Sequence, residues 1–154
     1  DLDEEQNGAA SDDDRFARGA HRVIERVLLN YALGIDRRDW ELLASCFTAD
    51  VVVNYGNSLG FRQGREPLME RMRAVHMPLG PTLHRITNVV ISTDGEVATS
   101  DSYVDAVLMK RSGDAPALRA IGRYDDRLVR VEGDWKISRR IFVPVWIRQG
   151  SVTI

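Results

Sequence analysis

The sequence predicts a single α+β domain, with helices packed on one face of a curved, mostly antiparallel sheet. Three observations carry this. Apolar residues recur at helical spacing up to residue 75. Beyond residue 81 they alternate with polar ones, as in strands. Turn signals at Asp94-Gly95 and Glu132-Gly133-Asp134 divide that second half into hairpins.

Residues 1–14 carry Asp1, Asp3, Glu4, Glu5, Asp12, Asp13 and Asp14 with Gly, Asn and Ser between them. This reads as a solvated, disordered acidic leader ending in a helix cap, with the domain proper at 15–154. From about Asp14 to Gly34, Phe16, Ala20, Ile24, Val27, Leu28 and Tyr31 form one apolar stripe, and Gly34 marks the helix end. Asp36-Arg37-Arg38-Asp39 turns the chain into a short helix from Trp40 to Cys46, with Asp39 as its cap. Phe47-Thr48-Ala49-Asp50 breaks that helix, and a strand runs from Val51 to Tyr55. Gly56 to Gly64 reads as a loop. A third helix follows from Glu66 to Val75, with Pro67 tolerated in its first turn. Four strands complete the chain at Thr82–Thr93, Val97–Met109, Leu118–Val131 and Trp135–Ile147.

The composition excludes several functions. At 154 residues, 44% hydrophobic and 29% charged, the chain has the balance of one globular domain. A net charge of -2 gives no basic footprint for nucleic acid. No apolar run reaches the roughly 18 residues of a membrane span. No signal peptide is visible, so a cytoplasmic location is expected. Cys46 is the single cysteine, and His21, His76 and His84 show no metal-ligand spacing, so neither a metal nor a cofactor is expected. His21 and His76 read as surface or helix-edge residues.

His84 is the residue with the strongest chemical content. Period-two alternation puts it on one strand face with Ile86, Asn88 and Val90. Polar groups among apolar ones mark either a cavity wall or satisfied core polars. Asp36 is a turn residue or a partner for His84; the cap positions are already served by Asp39 and Asp50. A carboxylate and an imidazole meeting in a cavity make a general base of fixed tautomer. Tyr31 lies on the buried stripe of the first helix, where its hydroxyl needs a partner, either a ligand carbonyl or a neighbouring polar group. Tyr55, at a strand end, reads the same way. Asn88 would orient a ligand or hydrate the cavity floor. Alternation allows Tyr103 and Tyr124 to face the cavity. Of Arg139-Arg140 one points inward, to bind substrate or to pair with an acid such as Asp126, and Arg140 is the candidate. Trp146 closes the cavity or packs on a neighbouring subunit.

These residues also carry a resemblance. The segments are Tyr31-Ala32-Leu33-Gly34-Ile35-Asp36-Arg37-Arg38-Asp39-Trp40, Phe47-Thr48-Ala49-Asp50-Val51, His84-Arg85-Ile86-Thr87-Asn88, Tyr124-Asp125-Asp126-Arg127-Leu128-Val129 and Gly133-Asp134-Trp135-Lys136-Ile137-Ser138-Arg139-Arg140. In this order they resemble the SnoaL-like branch of the nuclear transport factor 2-like, or cystatin-like, superfamily. Within it they are most similar to the scytalone dehydratase, bile-acid 7α-dehydratase and hexachlorocyclohexane dehydrochlorinase group. The resemblance implies a cone-shaped sheet wrapped by helices around a deep cavity. It implies an Asp-His dyad at Asp36 and His84, with Tyr31 and Tyr55 at the positions of cavity tyrosines. It further implies a cofactor-independent lyase, a dehydratase of a small hydrophobic, hydroxylated cyclic or polyketide-type compound, assembled as a homodimer or homotrimer. An isomerase, a polyketide cyclase and a non-catalytic ligand-binding or dioxygenase small-subunit-like protein are the alternatives. The bile-acid enzyme's last-strand arginine falls near Pro144 in this register. The second cavity histidine of scytalone dehydratase has no counterpart in the following strand, which offers Asp101, Tyr103 and Asp105.

Overall fold

The computed structural model describes residues 9–150. Its elements are α1 (Asp12–Arg37), α2 (Trp40–Ser45), β1 (Phe47–Asn54), α3 (Gly56–Leu59), β2 (Phe61–Gln63), α4 (Arg65–His76), β3 (Thr82–Asp94), β4 (Val97–Met109), β5 (Pro116–Val131) and β6 (Asp134–Gln149). The strands form one curved, unclosed sheet in the order β2-β1-β6-β5-β4-β3. All pairings are antiparallel except β1 with β6.

α1 starts at Asp12, before the expected Asp14. The Ser11 hydroxyl accepts the Asp14 N–H at 3.1 Å and the Asp14 carboxylate accepts the Ser11 N–H at 3.3 Å, a reciprocal cap. Asp12, Asp13 and Asp14 sit at the positive end of the helix dipole. Of the disordered leader expected at 1–14, residues 1–8 lie outside the described residues, and 12–14 are helical.

α1 also ends later than expected. Gly34 is not its terminator: the helix runs on to Arg37, and Arg38 takes the left-handed cap conformation at φ 56°. Gly34 instead lets α2 come close, since a Cβ there would lie 2.9 Å from the Leu43 backbone nitrogen. Asp39 caps α2 as expected, its carboxylate accepting the Leu42 N–H at 3.0 Å.

Phe47-Thr48-Ala49-Asp50 is the first half of β1, not a break. The peptide of Cys46 is already paired with Ile137 on β6, and Phe47 is fully buried, so pairing with a central strand outweighs the local turn signal. The expected loop at 56–64 contains the one-turn α3 and the short β2.

The core lies between the sheet and α1. Ile24, Leu28, Tyr31 and Ile35 of α1 meet Phe47, Val51, Leu128 and Ile137. Each such fully buried side chain contributes about 1.5–3 kcal/mol. Along β4 and β5 the even-numbered residues point inward, from Ala98 to Leu108 and from Ala120 to Leu128. No described helix is long and apolar enough to cross a membrane.

Because Gly34 faces a backbone that cannot withdraw like a flexible side chain, Gly34→Ala is expected to lower stability by about 1–3 kcal/mol despite alanine's higher helix propensity. Urea unfolding measures it, and a stabilised variant would contradict the close packing of α1 on α2.

Candidate active site

A cavity of about 320 Å³ opens between α1, α4 and the sheet. Tyr31, Tyr55, His76, His84, Tyr124 and Phe142 line it, with aliphatic residues between them.

Asp36 enters from the last turn of α1 and His84 from β3. The two are joined twice. His84 Nδ1 lies 2.7 Å from Asp36 Oδ1, and the His84 backbone N–H donates to Asp36 Oδ2 at 2.8 Å. The Thr82 hydroxyl donates to Asp36 Oδ1 at 2.9 Å. Behind it, Arg38 Nη1 donates to Thr82 Oγ1 at 2.9 Å and to Ile35 O at 2.7 Å. Arg38 Nη2 reaches the Gly80 carbonyl at 2.9 Å, so the left-handed cap of α1 also clamps the start of β3. Burial pushes the Asp36 carboxyl up. The hydrogen bond and charge of His84, its backbone N–H and the Thr82 hydroxyl push it further down, and the net position is below the usual value. An ionised Asp36 accepts the Nδ1 proton, and in the uncharged form of the His84 ring this puts the lone pair on Nε2.

The tyrosines meet at one point. Tyr31 Oη lies 2.9 Å from Tyr55 Oη and 3.4 Å from Tyr124 Oη. Burial, with Tyr31 beside them, raises the Tyr55 and Tyr124 hydroxyls well above the usual phenol range, against the pull of Arg140. Both therefore stay protonated at neutral pH and can donate.

Arg140 lies behind these rings. Its Cζ sits 4.1 Å from the Tyr31 centroid and 3.9 Å from that of Tyr124, in the corner formed by two rings that meet edge-to-face at 85°. Nε and Nη2 grip Asp126 at 2.8 and 2.7 Å, and both residues are 0% exposed. Burial opposes the charge on Arg140, but Asp126 more than compensates and holds it protonated. The remaining Nη1 is buried without a hydrogen-bond partner, and the aromatic faces are what it meets.

The other expected site residues fall elsewhere. Asn88 does not share the face of His84. It adopts φ 52° at a bulge between Thr87 and Val90, which resets the alternation so that Val89 and Ile91 pack on the core. Tyr103 pairs with Thr87 on the outward face of β4 and is 55% exposed. Trp146 is 46% exposed; a register shift aligns it with outward-facing Ile121. Arg140 points inward but does not line the cavity, because Tyr31 and Tyr124 cover it, so it takes the ion-pair alternative. Arg139 faces outward toward Asp125 at 3.5 Å.

His76 is the residue that the sequence reading misplaced. It is buried and lines the cavity rather than the surface. Its spacing from Leu68 and Met72 on the apolar stripe of α4 was the available signal. Among the described residues no group of three or more metal-binding side chains forms. Burial pushes the Cys46 thiol up to about 11, which makes it a poor nucleophile.

The SnoaL-like domain profile matches residues 19–141. An uncharacterized protein of Mycobacterium tuberculosis, Rv2910c, is 30% identical over 120 residues, 77% of this chain and 80% of that protein. The crystal structure of a "Putative Scytalone Dehydratase" from Novosphingobium aromaticivorans superposes with a TM-score of 0.80 at 25% identity, covering 90% of this chain and 92% of that one. Hexachlorocyclohexane dehydrochlorinase LinA-type3 from Novosphingobium barchaimii shares the fold, with a TM-score of 0.74 at 20% identity over 94% and 97% of the two chains.

Two measurements follow from the buried charges. Arg140→Met leaves Asp126 uncompensated and should cost about 3–5 kcal/mol in urea unfolding, whereas the double variant with Asp126→Leu should recover most of that loss. Burial lowers the His76 pKa from 6.5 to about 4, so between those pH values the unfolded chain binds a proton that the folded chain refuses. Stability is therefore expected to fall by on the order of 3 kcal/mol from this residue as pH drops through that window. His76→Phe should flatten that part of the stability–pH curve.

Proposed function

The chain belongs to the SnoaL-like domain family, and we propose that it is a cofactor-independent lyase or isomerase-type enzyme, working as a dehydratase on a small hydroxylated cyclic or polyketide-type compound. The observation that carries this is the 2.7 Å contact of His84 Nδ1 with Asp36 on the wall of a mostly apolar cavity that three tyrosines also line. The fold shared with a dehydratase-named structure and with a dehydrochlorinase supports it.

The chemistry runs on protein groups. His84 Nε2 takes a proton from a carbon next to a carbonyl. The C–H electron pair moves into the carbonyl, and the enolate oxygen is held by Tyr31, Tyr55 and Tyr124, whose hydroxyls converge on Tyr31 Oη. The positive charge of Arg140 behind the rings favours negative charge there. When the enolate collapses, the double bond forms, the C–O bond of a β-hydroxyl breaks, and His84 returns its proton so that water leaves. Asp36 stays ionised throughout and stabilises the imidazolium between the two transfers. Isomerisation and cyclisation would share the first step and differ in where the enolate carbon reacts.

A homodimer or homotrimer fits the outer sheet face, where Leu83, Val90, Tyr103 and Val145 are exposed together with Trp146. A cytoplasmic location remains part of the proposal.

Deuterium uptake from heavy water into cyclic β-hydroxy ketones, followed by mass spectrometry, tests the base directly. His84→Ala should lower exchange and elimination by about 10²–10⁴-fold, the contribution of a positioned general base, and Asp36→Asn should also lower both. Full exchange and elimination in both variants would sink the reading.

A further inference from the structure

The steps above leave one cavity group unused. His76, the last residue of α4, is 1% exposed and lines the same cavity as His84. Its Nδ1 lies 2.8 Å from the Met72 carbonyl oxygen one turn earlier. A carbonyl can only accept, so Nδ1 carries the proton and Nε2 carries a lone pair. Trp40 holds the ring from one side, with centroids 6.5 Å apart, and the His84 ring lies 6.3 Å away. Burial, with the nearby charges of His84 and Arg38, lowers the His76 pKa to about 4 against the opposing Met72 bond and Asp36. At neutral pH His76 is therefore an uncharged acceptor and not an acid.

The cavity's rings differ in hydrogen-bond sense. Three phenols present O–H groups. Two imidazoles in the same tautomer, 6.3 Å apart, present acceptor nitrogens, and the Gln149 amide completes the polar lining. A buried acceptor that meets no donor loses its hydration without return, about 1–3 kcal/mol, so a ligand that supplies a donor there is favoured over one that does not.

We propose that His76 Nε2 accepts a hydrogen bond from the leaving hydroxyl of the substrate, and that His76 is a specificity-determining residue selecting β-hydroxy carbonyl compounds over ketones or haloalkanes of the same shape. This rests on the dehydratase reading above and names the substrate class of that site. The hydroxyl lies between the two imidazoles. Its own proton points to His76, which turns an oxygen lone pair toward the proton that His84 returns. The departing water then carries its original proton and the one from His84, and His76 gains or loses none.

The test measures binding with proton removal blocked. In His84→Ala protein, titration calorimetry compares 3-hydroxy-1-tetralone with 1-tetralone, which differ by the one hydroxyl. The hydroxy ketone should bind roughly 3–10-fold tighter, the value of one net hydrogen bond, and His76→Phe in the same background should remove that preference. His76→Gln, which keeps a side-chain acceptor, should retain part of it. Independently of any change at position 76, the ¹⁵N resonance of His76 Nε2 should move on adding the hydroxy ketone and not on adding 1-tetralone. An unchanged preference in His76→Phe, no preference in the parent, or a His76 resonance indifferent to the hydroxyl overturns the proposal. Elimination surviving in His84→Ala would instead overturn the dyad, while the hydroxyl preference would still report on His76.

Discussion

The carboxylate of Asp36 ties the end of α1 to the start of β3, and the site is built around that junction. A negative charge in the last turn of a helix opposes the helix dipole, so position 36 is locally unfavourable for aspartate. Hydrogen bonds from the His84 backbone, the His84 ring and Thr82 offset this. They also hold the imidazole in one orientation and one tautomer. Arg38 completes the junction: its left-handed cap stops the helix, and its guanidinium bridges Ile35, Thr82 and Gly80. A residue that breaks a local rule and is then supported by several neighbours is what a functional position looks like.

The second structural commitment is the buried pair beneath the tyrosines. Asp126 and Arg140 lie directly opposite each other on β5 and β6, so their side chains share the inner face. The pair costs desolvation on both sides, and a well-packed apolar replacement would serve stability as well. Its position points to another use. Set in the corner between Tyr31 and Tyr124, the guanidinium packs on both rings and adds a positive potential behind hydroxyls that would face a developing enolate. In the proposed reaction the junction at Asp36 would orient the base, and this pair would position the tyrosine donors.

Much of this was legible in the residues, for reasons that also explain the failures. Tyr31, His84 and Tyr124 could be read because helical stripe and strand alternation run uninterrupted through them, whereas Asp36 and Tyr55, read as a turn residue and a strand end, stood out through the family resemblance. Asn88 and Trp146 could not, because a register shift lies beside each one and flips every side chain beyond it. Alternation could not choose between Arg139 and Arg140 for the same reason: Trp135 and Ile137 point inward, then the shift at Leu128 brings Arg140, the candidate, and Phe142 inward. Tyr103 was open to either face, and the inward even-numbered set of β4 leaves it outside. Gly34 was read as a stop when its missing side chain serves close packing. His76 was misplaced because a histidine at a helix end resembles a favourable dipole partner on the surface, whereas its apolar neighbours at helical spacing carry it into the core.

The central claim is that Asp36 fixes His84 with its proton on Nδ1 and its lone pair on Nε2. Two-dimensional ¹H–¹⁵N NMR of the imidazole at neutral pH tests it without any substrate. The account predicts a protonated Nδ1 with a downfield, exchange-protected proton and an unprotonated Nε2, and loss of that signature in Asp36→Asn. A proton on Nε2 in the wild-type protein, or a tautomer unchanged by Asp36→Asn, would contradict it.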